Sequence, residues 1–151
     1  MGRGVKKKVP VVALVQRNGI VKSQPLRRLT GKNLKGFIYE NVDNASTIMT
    51  DDFKSYKTLR KDFQHRVIRH SFGEYVKGQT HTNTVEGYFS LLKRGITGVF
   101  HHVSEKHLHR YLSEFDFRYN MRKQNDGVLA FVLLNGVEGK RLLYCYIESH
   151  R

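Results

Sequence analysis

From Val85 to Val99 the apolar residues recur at helical spacing. Val85, Tyr88, Phe89, Leu92, Ile96 and Val99 fall on one narrow face, within the run HTNTVEGYFSLLKRGITGV. An apolar stripe of that kind needs a sheet or another helix to cover it, so the stretch is expected to be a helix packed on a core. Glu86 and Lys93 are seven positions apart and project along one flank of the same helix, with Ser90 and Thr97 beside them. The helix therefore carries a carboxylate at its head and a lysine two turns on.

The rest of the chain supplies something for this helix to pack against. VPVVALVQRNGIVKSQPLRR reads as two strands joined at Asn18-Gly19, a strong hairpin signal, with Pro10 and Pro25 near strand ends where a missing donor is tolerated. Thr30 is a candidate cap for a helix through Leu34, Phe37 and Ile38. Thr47 to Thr50 is a short apolar strand that ends at Asp51-Asp52; a helical turn from Phe53 to Leu59 and a strand at Arg66 to Ile68 follow. Residues 71–81 read as a loop, and Asn83 as the cap of the long helix. Phe100 to Val103 breaks that helix. Ser104 then opens another, with Leu108, Tyr111, Leu112, Phe115 and Tyr119 on one side and His107, Arg110, Arg118 and Arg122 on the other; Leu129 to Leu134 is a further apolar run. The order of elements is that of an α/β fold with a mixed sheet, and 151 residues suffice for one domain, residues 1–151, but not for two.

Charge limits the partners. Lysine and arginine number 27 against 13 acids, for a formal net charge of +14. An excess of that size suits a polyanion, of which nucleic acid is the commonest. Residues 1–39 hold ten Lys and Arg and no acid, and Glu40 is the first carboxylate. One cysteine, Cys145, excludes a disulfide framework and a cysteine-based zinc site. No signal-peptide pattern or long apolar run is present, so the chain is expected to be soluble, intracellular and free of membrane.

Taken singly, the polar candidates have ordinary structural explanations. Asn83 and Glu86 fit a capping box, Asp51 or Asp52 fits a cap for the turn near Phe53, and Lys93 fits a solvated surface lysine. His101, His102 and His107 lack the i, i+4 spacing of a helical zinc site, and His65, His70 and His81 are scattered. Together they say more. An Asp at the carboxyl end of a short strand stands where α/β sheets place ligand-binding residues, and Glu86 follows 35 positions later at a helix head. Paired hard carboxylates suit Mg²⁺ or Mn²⁺, and two such ions suit an in-line displacement at phosphorus.

The pieces KVPVVALVQRNG, TDDFKSY, the block from VIRHSFGEYVKGQTHTNTVEGYFSLLKRGITGVFHHVS to RYLSEFDFRYN, and LLNGVEGKRL resemble the DDE transposases of bacterial insertion sequences, in the ISXO-like branch. The resemblance runs from about Gly4 to Tyr144. It implies a ribonuclease-H-like fold and a cut-and-join reaction on DNA that uses two Mg²⁺ or Mn²⁺ ions in the intact enzyme. It further implies a homodimer or higher assembly on element ends and target DNA, in the bacterial cytoplasm at the nucleoid. By the same resemblance Asp51 and Glu86 are the second catalytic aspartate and the glutamate, both metal ligands, and Lys93 is the basic residue that follows. Lys93, Arg94 and Arg110 are then DNA contacts, with His81, Asn83 and His102 around the metal ligands.

One departure accompanies the match. Members of that branch carry a zinc ribbon and place their first catalytic aspartate on an opening strand upstream of the basic loop before KVPVV. Neither is found here. The missing strand is expected mid-sheet, between the KVPVV strand and the TIMT strand, and its absence is expected to leave two unpaired edges and a gap in the core. On this expectation the chain is amino-terminally truncated, marginally folded and close to inactive alone. The other readings are a non-catalytic remnant that binds DNA by charge, and a ribonuclease-H-type nuclease without strand transfer.

Overall fold

The computed structural model describes residues 8–68, 82–137 and 139. The loop expected at 71–80, His81 and the segment from Lys140 onward lie outside the described residues. The hairpin forms from β1 (Val11–Val15) and β2 (Val21–Pro25), antiparallel, with Val11 opposite Pro25 and Val15 opposite Val21. Its loop is three residues rather than two. The Gln16 amide bonds the Ile20 carbonyl, and Asn18 takes a positive φ of 55°, a conformation Asn tolerates better than most residues.

Helix α1 (Gly31–Asn41) starts as its sequence demands: the Thr30 hydroxyl accepts from the Asn33 amide at 3.2 Å, and Leu34, Phe37 and Ile38 are buried. Strand β3 (Thr47–Thr50) follows. Lys54–Lys61 is a 3₁₀ helix, and β4 (Gln64–Val67) pairs with β3 in parallel. The β4 boundaries fall two residues before the expected start at Arg66.

The mixed sheet expected from the sequence is instead two separate two-stranded sheets, β1–β2 and β3–β4. No hydrogen bonds join β1 to β3. A cavity of ≈ 840 Å³ is lined by both strands, by Leu34 and Ile38 of α1, and by Val85, Glu86 and Phe89.

The β1–β2 hairpin is covered on both faces. Val12 packs with Leu26, Leu34 and Phe37 on the α1 side, joined by Leu14. On the other side Val11, Ala13 and Val15 pack against Tyr88 and Leu92 of α2 (Asn83–Gly95) and Leu108 and Leu112 of α3 (Leu108–Asn120). A third cluster, Ile38, Ile48, Leu59 and Phe63, seats β3 under α1.

Side chains of α3 also close the outer edge of β2. Asp116 accepts from the Ser23 amide at 2.7 Å, and Asn120 accepts from the Val21 amide (2.7 Å) and donates to the Val21 carbonyl (3.0 Å). The Tyr88 hydroxyl donates to the same Asp116 carboxylate at 2.5 Å, which ties α2 into the network. Burial, reinforced by Asp116, pushes that phenol far above its ordinary range, so it stays a donor.

Two expectations about the long helix are corrected. Its α-helical part ends at Gly95, and Ile96–Phe100 forms one π turn, so Val99 is 69 % exposed instead of lying on the apolar face. The wider turn shifts the angular position of each following residue, which a 3.6-residue period does not anticipate. Phe100 remains exposed but stacks edge-on against Tyr111, with ring centroids 4.7 Å apart. The cap of α2 is Thr82 rather than Asn83, so the capping box is not formed as expected. Helix α4 (Asp126–Val137) is apolar all round and has no buried residue among those described.

Where α2 meets α3, a Cβ on Gly95 would sit 2.2 Å from Cζ of Phe115, whereas one on Gly87 would meet nothing within 4 Å. Gly95→Ala is therefore expected to lower stability by about 1–3 kcal/mol through overpacking. Gly87→Ala is expected to raise it by about 0.8–1.0 kcal/mol through helix propensity. Urea unfolding of the two variants checks both signs.

Candidate functional site

Asp51 stands one residue past the end of β3, exposed, and Glu86 sits in the first turn of α2, also exposed. Both line the cavity between the two sheets. Two elements far apart in sequence thus bring two carboxylates to one concave, mainly apolar surface.

Each carboxylate is oriented by a neighbour. One Asp51 oxygen accepts from the Phe53 amide at 3.2 Å, which fixes the turn after β3; the cap of the following 3₁₀ helix is Phe53 itself, with no side-chain cap, rather than Asp51 or Asp52 as expected. Glu86 accepts from the Thr82 hydroxyl at 2.6 Å. Thr82 is itself buried, and its carbonyl accepts the Glu86 amide at 3.1 Å. The Glu86 carboxylate is therefore held by a buried hydroxyl at the head of its own helix, which is a positioning device rather than a capping box.

Behind Asp51 lies a smaller cavity of ≈ 90 Å³, lined by Asp51, Asp52, Phe53, Tyr56, Arg60, His65 and Val67. The Thr50 hydroxyl donates to the Asp51 carbonyl at 2.8 Å and lies 2.8 Å from His65 Nε2. Because that hydroxyl has only one proton, His65 must donate from Nε2, which leaves Nδ1 as the unprotonated nitrogen. That nitrogen is buried without a partner among the described residues. Burial, then the charge of Arg60, lowers the His65 pKa below its usual value. Burial, then the Asp51 charge, raises that of Tyr56.

The other sequence candidates spread outward. Lys93 and Arg94 are exposed in the last turn of α2, and Lys93 lies about 10 Å along the helix axis from Glu86. Arg110 is exposed in the first turn of α3. Asn83 is exposed at the start of α2, and His102 is exposed just after the π turn, its amide bonded to the Phe100 carbonyl at 2.5 Å. None of these five lines the cavity. His81 lies outside the described residues. Sequence reasoning passed over Thr82, Tyr56 and His65. Thr82 had a visible signal, a second good cap residue one position before Asn83.

Asp51 at a strand end and Glu86 at a helix head thus line one cavity in a chain of formal net charge +14. A profile of the ISXO2-like transposase domain matches residues 1–120. The chain belongs to the ISXO2-like transposase family. A curated protein from Halobacterium salinarum, described as an uncharacterized protein in transposable element ISH50, is 31% identical over an alignment of 138 positions. That alignment covers 87% of this chain and 47% of the relative, so the chain spans about half the length of the curated relative it matches. No solved structure matches.

The site makes a prediction about acid. Because the folded state holds His65 neutral below its ordinary pKa of 6.5, the unfolded chain binds the extra proton first as pH falls. The stability tied to His65 is thus present above pH 6.5 and is lost as pH falls through the lowered folded value. His65→Leu is expected to flatten this part of the stability profile below pH 6.5, read as the difference from the parent chain in urea midpoints.

Proposed function

We propose that this chain is part of the catalytic domain of an insertion-sequence DNA transposase, a single domain of ribonuclease-H-like fold that cleaves element ends and joins them to target DNA. The observation that carries the reading is the presence of both Asp51 and Glu86 in the lining of one cavity, in a chain of formal net charge +14 that belongs to a transposase family.

The donor set fits a hard divalent ion. Two carboxylates, both exposed and each already held in place by a local hydrogen bond, suit Mg²⁺ or Mn²⁺, which take oxygen ligands and keep room for water and phosphate. Asp51 and Glu86 are the residues that would hold it. Two bound ions supply activation of the attacking oxygen and stabilisation of the leaving one. Thr82 keeps the Glu86 carboxylate aimed at the cavity, and the Phe53 amide does the same for Asp51. Lys93, Arg94 and Arg110 hold DNA phosphates on the surface that leads away from the cavity. Cleavage is an attack of water on a phosphodiester, which frees a 3′-hydroxyl. That hydroxyl then attacks a target phosphodiester and expels the target 3′-oxygen. Paired-end joining makes the working assembly a dimer or larger.

Among the described residues no group of three His, Cys, Asp or Glu gathers to hold a metal. On this reading a third carboxylate, from residues other than those described, completes the metal site. The formal net charge of +14 also supports a second reading, a non-catalytic remnant that binds DNA by charge alone.

Mutation separates the two. In a full-length protein that carries these residues, Asp51→Ala or Glu86→Ala is expected to abolish Mn²⁺-dependent cleavage and joining while DNA affinity changes by no more than about fivefold, since an exposed charge contributes only about 0.2–1 kcal/mol. Lys93→Ala is expected to lower the slope of log affinity against log salt by about 1. Cleavage that survives both carboxylate variants would remove the catalytic assignment.

A further inference from the structure

The segment that joins α2 to α3 is strained in a way that packing does not explain. The chain leaves α2 through the π turn Ile96–Phe100 and then reverses at His101, whose φ of 56° and ψ of −39° suit few side chains. The His102 amide bonds the Phe100 carbonyl across it at 2.5 Å, in the γ-turn geometry that is rare and strained. Continued as an α-helix, the chain would have carried Val99 onto the apolar stripe with Tyr88 and Leu92. Val99 is instead 69 % exposed, the most exposed large hydrophobic residue among those described. Irregular backbone that carries an apolar side chain out of a core, rather than into one, points to a partner outside the chain.

The tip is braced from below. Phe100 stacks edge-on against Tyr111 and Phe115 of α3, with centroids 4.7 and 6.3 Å apart, and Gly95 leaves the space that the Phe115 ring needs against α2. Nδ1 of His101 donates to the Thr97 carbonyl at 3.1 Å. Val99 is thus presented on a built base. Exposed cations flank it in the chain on both sides, Lys93 and Arg94 before the turn and Lys106 and Arg110 after it. None of the four forms an ion pair among the described residues, and Glu105 is the one carboxylate between positions 93 and 110. Two copies meeting at this tip would bring like charges together. A duplex offers phosphates to the cations and a base stack to the valine.

We infer that Val99 is a wedge that enters a base step of duplex DNA held by Lys93, Arg94, Lys106 and Arg110, and partly unstacks it. The inference deepens the DNA reading of this surface given above and does not depend on the metal site. Pyrimidine–purine steps unstack most easily, so the wedge gives the chain a preference for flexible steps such as TpA without hydrogen bonds to bases.

The test uses the 151-residue chain and a short duplex with 2-aminopurine at a central TpA step, whose emission rises when the base unstacks. Emission at saturation is expected to rise by about twofold or more with the parent chain and with Val99→Ile, and to stay near that of free duplex with Val99→Ser. Val99→Ser is expected to fold as the parent does, because the position is exposed, and to keep the parent slope of log affinity against log salt, because no phosphate contact is lost. Lys93→Ala is expected to do the reverse, with the slope lowered by about 1 and full emission at saturation. An equal rise with the parent and Val99→Ser, or no rise with a parent chain that binds, overturns the wedge and leaves the DNA reading standing. Absence of any duplex binding removes both. Loss of self-association in Val99→Ser with unaltered emission also overturns the wedge, since a second copy of the chain is then what covers the tip.

Discussion

The carboxylate of Asp116 organises this chain. It takes the amide of Ser23 in β2 and the hydroxyl of Tyr88 in α2, and it sits on α3, so one half-buried group fixes a strand and two helices relative to each other. Buried polar groups that lose a partner are costly, about 1–3 kcal/mol each, so these contacts hold the elements in one arrangement rather than merely adding to stability. Two consequences follow. The outer edge of the hairpin is closed, and the first turn of α2, with Glu86, is set at the wall of the inter-sheet cavity.

That placement links the fold to its chemistry. Glu86 comes to the cavity because Tyr88, two residues on, is anchored beneath it, and Asp51 comes because β3 is seated under α1 by Ile48. The two carboxylates thus depend on separate packing units on either side of a cleft that the described residues do not bridge with backbone pairing.

Much of this was legible in the sequence wherever the signal is local. The Asn18-Gly19 hairpin, the Thr30 cap and the strand that stops at Asp51 are each set by a few adjacent residues and form close to where expected. Boundaries and pairings that depend on distant contacts were less legible. Val99 continues the helical stripe in the sequence, but the π turn at Ile96 swings it into solvent while Phe100 finds Tyr111. Asn83 and Thr82 are both good caps, and nothing local chooses between them. His65 reads as one more scattered histidine until β4 lays it against Thr50, behind Asp51. The sequence places Asp51 and Glu86 on a strand end and a helix head. That they share a cavity follows from the packing of α1 and α2 on opposite faces of the hairpin.

The most direct measurement is a Mn²⁺ titration of the isotopically labelled chain followed by paramagnetic broadening of its backbone amide signals. The account predicts that the signals of Asp51 and Glu86 and their immediate neighbours fade together at the lowest Mn²⁺ concentrations, and that neither set fades first in Asp51→Ala or Glu86→Ala. Broadening that begins at surface acids such as Glu114, with Asp51 and Glu86 responding independently, would contradict a shared metal site.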